Sequence, residues 1–194
     1  LDTIEAATSA AGRLGAGPAV IALTGDLARA ARRDEVAAAV RTCRVLSQRG
    51  AELGERLAAA HQDAAAPAGG AVLQIGMDTP QAGADLLVTC AGLLAGGDAV
   101  LGPAEDGGWW ILGVRRAAWA RALRSVPMST DRTGSLTRDA LVGLGCTVHE
   151  APRLRDVDVM ADAVAVADLA PWTRFAAAVR ALPVALQTLP VPVS

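Results

Sequence analysis

Carboxylates set beside strand ends are the residues here whose types and spacing could do chemistry. Asp78 closes the run "AVLQIGMDTP", where Pro80 stops continuation, so its carboxylate falls just beyond the C-terminal end of a buried strand. Glu105 and Asp106 lie in "GPAEDGGWW", ahead of Gly107 and Gly108, which let backbone approach a ligand closely or turn at positive φ. Asp156 and Asp158 lie in "LRDVDVMAD", where alternation puts both on one side and Val157 on the other. Magnesium takes one or two carboxylates and leaves its other positions to water and substrate phosphates, so acids from separate strand ends would suffice for a cation. Each group also has a plainer reading. Asp78 can cap the next helix, "EDGG" can be a hairpin turn, and Asp156 and Asp158 can be solvated acids. Ser129, Thr130 and Asp131 can equally cap the helix that begins there. His61 and His149 lack metal-ligand spacing and read as structural. Trp109 and Trp110, in tandem on a strand, must point to opposite faces, so one joins the core while the other lines a pocket or covers an edge.

The elements that must position these acids alternate. A helix over "LDTIEAATSAAG" is followed by a strand in 18–25 and a helix from Asp26 through "DLARAARRDEVAAAVRT", with Asp26 as N-cap. A weaker strand in 43–50 precedes a helix that runs out at Pro67, and the buried strand 71–78 leads into a helix from about Ala82 to Leu94. Two short strands then flank the "EDGG" loop. "RRAAWARALRS" reads as a helix, "STDRTGSLTRDALVGLG" as a helix weakened in its middle at Gly134, and "CTVHEAP" as a strand. One or two helices close the chain, and the tail from about Pro183 reads as extended. This order predicts an α/β sheet covered on both faces, with ligands where strands end, in one domain spanning 1–194. GxGxxG and Walker loops are both missing, so the chemistry is sought in the acids.

Composition narrows the function classes. The chain has 194 residues, 52% of them hydrophobic, with a mean hydropathy of +0.33, ample for a core. A net charge of −2 and scattered arginines leave nothing to hold a nucleic acid. No apolar run approaches the roughly 20 residues of a membrane span, and a cytoplasmic protein is the expectation. Cys43, Cys90 and Cys146 are far apart and without CxxC spacing, which predicts reduced thiols. All 18 basic residues are arginine, so no lysine is available for a phosphate or a Schiff base.

Several segments together resemble one family, the DUF2064 group of GT-A-type transferases related to nucleotidyltransferases. The resemblance lies in "LGERLAAAHQDA", "LQIGMDTPQ", "DAVLGPAEDGGWWILGV", "VPMSTDRTGSLTRDAL" and "LRDVDVMAD", in the family's order, over about residues 45 to 165. It implies a GT-A-like three-layer fold with a mostly parallel sheet, a nucleotide pocket and Mg2+ or Mn2+ holding a diphosphate. By position, Asp78 and Asp158 are the implied metal ligands, and Gln48 and Gly54 the residues against the nucleobase. Asp106 and Asp131 are the implied catalytic acids, and Gly107, Gly108 and Trp109 face the sugar or acceptor. The chain starts at what looks like the helix after the family's first strand and basic phosphate loop. The first strand is therefore expected to be missing from the sheet, with another segment filling its place or a partner chain covering it, which admits a homo-oligomer.

The resemblance makes a metal-dependent glycosyltransferase, with a nucleotide-diphospho-sugar donor and a small-molecule acceptor, the leading expectation. One alternative is a nucleotidyltransferase that uses an NTP on a small phosphorylated acid and releases pyrophosphate. Another is a non-catalytic remnant serving as a binding or assembly module.

Overall fold

Short apolar runs broken by Gly, Pro and acids give short strands, and every strand expected from the sequence forms. The computed structural model describes residues 1–65 and 69–187. In chain order the elements are α1 (Asp2–Leu14), β1 (Val20–Leu23), α2 (Arg33–Val40), β2 (Arg44–Ser47), α3 (Leu53–Ala65), β3 (Val72–Ile75) and α4 (Ala84–Gly96). They continue with β4 (Ala99–Pro103), β5 (Trp109–Val114), a 3-10 segment (Ala117–Ser125), α5 (Thr133–Gly143), β6 (Val148–Glu150), α6 (Met160–Leu169), α7 (Arg174–Arg180) and α8 (Val184–Gln187).

Four strands form the main sheet in the order β3-β5-β4-β6. β4 and β6 pair in parallel, while β5 runs against both β3 and β4. β4 and β5 are the arms of a hairpin, so "EDGG" is a turn as well as an acid carrier. Their side chains divide the core into two layers. Ala99, Leu101, Leu112 and Val114 face α3, the 3-10 segment and α5, packing on Ala58, Leu123 and Leu141. Val100, Trp110 and Ile111 face α1 and α4, packing on Ala10, Leu87, Cys90 and Leu94. The pairing shifts by one residue where Gly102 opposes Ile111 and Pro103 opposes Trp109, so Trp110 is the extra residue of a bulge. Gly102 makes the space, since a Cβ there would lie 2.5 Å from both the Trp110 Nε1 and the Ile111 Cγ2.

β1 and β2 pair in parallel as a separate two-stranded sheet. Helices α1 and α3 link the two sheets: α3 touches β2 and β3, and α1 touches α2 and α4. Among the described residues no strand pairs with the free edge of β1 or of β3. The expectation that another segment fills the place of a first strand is therefore corrected for these residues. The cost is visible in burial: β1 and β3 are only half-buried along their length, whereas β4 and β5 are almost wholly buried.

Local chemistry explains the other departures. Asp26 does cap a helix, accepting from the Ala28 N–H at 2.9 Å, but that helix is a single 3-10 turn, Leu27–Arg29. α2 starts afresh after Arg32, whose φ of 58° breaks the run. Gly134 sits in the first turn of α5, not its middle. Val184–Gln187 is helical where an extended tail is expected, and 188–194 lie outside the described residues. No helix among the described residues is long and apolar enough to cross a membrane. Cys43, Cys90 and Cys146 are free thiols.

Candidate active site

The acids meet at one end of the main sheet. β3 delivers Asp78 just past its last residue, and the β4–β5 turn delivers Asp106. The extended segment 153–158 delivers Asp156 and Asp158. That segment is tied down by backbone: the Leu154 N–H donates to the Pro103 carbonyl at 3.1 Å, Glu105 N–H to Leu154 at 3.0 Å, and Val157 N–H to the Asp78 carbonyl at 3.0 Å. The Trp110 indole Nε1 adds a bond to the Pro152 carbonyl at 2.8 Å. Trp110 thus belongs to the core and also anchors the segment that carries two of the acids.

Asp106, Asp156 and Asp158 each offer a carboxylate oxygen within 4.8 Å of the other two. Asp156 is pushed up to about 6, first by withdrawal from water and then by the charges of Asp106, Asp158 and Asp78. Asp78 is also raised, first by desolvation of its carboxyl and then by Asp158 and Asp106, although the residue remains accessible at the surface. Its carboxylate folds back over Gly76, where a Cβ would lie 2.5 Å from its Oδ1. Next to it the fully buried Thr79 hydroxyl has no hydrogen-bond partner among the described residues. An all-oxygen donor set, mutually repelling charges and an orphaned hydroxyl alongside fit a hard divalent cation.

The glycines of the turn serve its geometry. Gly107 has φ 92°, and a Cβ there would lie 2.0 Å from the Asp131 carbonyl oxygen. The Gly107 carbonyl accepts from the Gly134 N–H at 2.8 Å, which seats α5 on the turn. Gly108 donates its N–H to Asp106 Oδ1 at 2.7 Å, fixing that carboxylate. Trp109 is half-buried against the α3 and α5 layer, on the face opposite Trp110.

The remaining sequence candidates fall elsewhere. Asp131 is exposed, with its backbone against Gly107, and is not one of the three clustered carboxylates. Gln48 donates its Nε2 to the Ala22 carbonyl at 3.0 Å, on the β1 side. Gly54 faces the 3-10 segment, where a Cβ would lie 2.3 Å from the Leu123 carbonyl, so its lack of a side chain serves close packing. The resemblance gives Asp156 no separate role; its alternation with Asp158, which puts both on one side, is the signal that finds it. His61 is buried and its pKa is lowered to about 4 by that burial.

A family profile described as an uncharacterized protein conserved in bacteria, DUF2064, matches residues 7–130. A solved structure from Desulfovibrio desulfuricans G20, described provisionally as a nucleotide-diphospho-sugar transferase, superposes with a TM-score of 0.77 at 22% identity. The match covers 92% of this chain and 78% of that one. At that identity the likeness shows the fold, a mixed α/β architecture of the GT-A-like kind. No curated protein matches the sequence significantly.

Proposed function

The chain belongs to the DUF2064 family, and from that premise we propose that it is a metal-dependent glycosyltransferase taking a nucleotide-diphospho-sugar donor and a small-molecule acceptor. The observation that carries the reading is the convergence of Asp106, Asp156 and Asp158 from two separate loops, with Asp78 beside them. The reading treats 1–194 as one transferase domain. Asp78 and Asp158 would hold Mg2+ or Mn2+, joined by Asp156 and by the Asp106 oxygen not engaged by Gly108. Such a cation, when bound, neutralises a leaving diphosphate and orients it. Gly107 and Gly108 leave the turn without side chains, so backbone can lie close to the sugar, and Trp109 forms an apolar wall on one side. Asp131, exposed at the start of α5, is the candidate base that takes the acceptor's proton on its carboxylate.

Calorimetric titration of nucleotide-diphospho-sugars with and without Mn2+ tests this. Binding should require the cation and be lost in Asp158→Ala; binding that ignores the cation would overturn the reading. Release of pyrophosphate from an NTP in a coupled assay would indicate a nucleotidyltransferase instead. Among the described residues β1 and β3 each keep an unpaired edge, and this favours a second reading, a non-catalytic remnant that serves as a binding or assembly module. It predicts no thermal shift with any nucleotide plus metal.

A further inference from the structure

We infer that Arg155 is a positioning residue for the carboxylate site, tying together the three segments that bring its acids in. The inference rests on the metal-site reading above. The Arg155 Nη2 lies 2.8 Å from Glu105 Oε2, on the turn that carries Asp106. Its Nη1 lies 3.5 Å from Asp162 Oδ1, in the first turn of α6, and Asp162 Oδ2 accepts from the Asp158 and Val159 N–H groups at 3.4 and 3.2 Å. The Arg155 carbonyl accepts from Gln81 Nε2 at 2.5 Å, and Gln81 follows Asp78 on the β3 loop. Asp156 is its neighbour in the chain. The turn and the start of α6 are thus fastened to the Arg155 side chain, and the β3 loop to its backbone carbonyl.

Such a fastening has a physical task. Carboxylates this close repel one another, and without a cation that repulsion works against the approach of the two loops and the 153–158 segment. A guanidinium is suited to oppose it, because its planar fork can engage two carboxylates at once at fixed angles, which an ammonium on a flexible stem does less well. The side chains of Arg155 and Glu105 are 38% and 46% exposed, so their ion pair adds little to overall stability. Its effect is expected on the spacing of the acids, and hence on cation affinity, more than on folding.

The sign of one substitution separates positioning from simple charge. Removing a positive charge beside a cation site should tighten cation binding if only the field matters. If Arg155 positions the acids, Arg155→Gln should weaken it, by about tenfold as for other residues that orient metal ligands. The measurement is calorimetric titration of the whole chain with MnCl2 alone, with thermal midpoints of the metal-free proteins alongside. We expect Arg155→Gln and Glu105→Gln each to bind Mn2+ about tenfold more weakly, the double variant to be no worse than either single one, and Arg155→Lys to recover part of the loss. Midpoints should stay near that of the unchanged chain. Equal or tighter Mn2+ binding by Arg155→Gln overturns the inference while leaving the metal site standing. Absence of Mn2+ binding to the unchanged chain overturns both. Should Arg155→Gln fail to fold, Glu105→Gln breaks the same bond from the other side, and unaltered Mn2+ affinity there overturns the inference equally.

Discussion

At the scale of single residues, Asp156 makes the clearest claim. In the folded chain it keeps its proton up to about pH 6, whereas an unfolded chain releases it near pH 4. The folded state therefore binds more protons between those values, and stability falls as pH rises through that window and is level above it. Asp156→Asn removes the fall. Allowing for solvent screening, the gain is on the order of 1 kcal/mol, a rise in thermal midpoint of about 2–4 °C near pH 7.5 and none near pH 3.5. Scanning calorimetry at both pH values checks it, and a gain of equal size at both would contradict the assigned cause. Gly107 makes a second claim. With φ 92° and the Asp131 carbonyl in the place of a Cβ, Gly107→Ala should cost about 2–4 kcal/mol in urea unfolding.

At the scale of elements, the β4–β5 hairpin and the 153–158 segment make the site together, and Trp110 is the joint. The bulge turns its indole to the α1 and α4 face, and Nε1 reaches the Pro152 carbonyl. Trp110→Phe keeps a ring in the core but loses that bond. A destabilisation of about 1–2 kcal/mol is expected, together with weaker Mn2+ binding, because the segment bearing Asp156 and Asp158 loses an anchor. Denaturant titration reads the first and calorimetry the second. A stability loss with unchanged Mn2+ affinity would confine Trp110 to the core.

At the scale of the whole molecule, the divided sheet dominates. On β1 the bonds Arg44 N–H to Ala19 and Gln48 N–H to Leu23 place odd-numbered residues toward β2. The N–H groups of Val20 and Ala22 therefore face the open edge. On β3 the bond from Gly76 N–H to Trp110 places even-numbered residues toward β5, so Leu73 and Ile75 face the other open edge. Hydrogen exchange should find these four amides labelled well before that of Leu112, in the centre of the main sheet. Equal protection would mean that the two edges are paired in solution. The Gln48 side-chain amide covers only the Ala22 carbonyl, and among the described residues nothing else pairs with that edge of β1, which leaves it open to a pairing strand.

Sequence alone determined the alternation of strands and helices, the two faces of Trp109 and Trp110, and the one-sidedness of Asp156 and Asp158. These follow from local periodicity, which nothing distant can change without breaking the backbone pattern. Local signals also misled where a neighbour decided the outcome. Gly134 resembles a weak point in a helix, yet it stands in the first turn of α5 because its N–H and its bare Cα meet the Gly107 turn. Nothing local in the sequence marks the close packing at Gly54, where the Leu123 carbonyl occupies the space a side chain would need. Tertiary structure alone decided that Asp106 clusters with Asp156 and Asp158, while Asp131 packs its backbone on Gly107 without joining that cluster. It also decided that the sheet divides between β1 and β3. Distances between residues far apart in sequence are set by how layers pack and which edges pair, and single-chain periodicity carries no record of either.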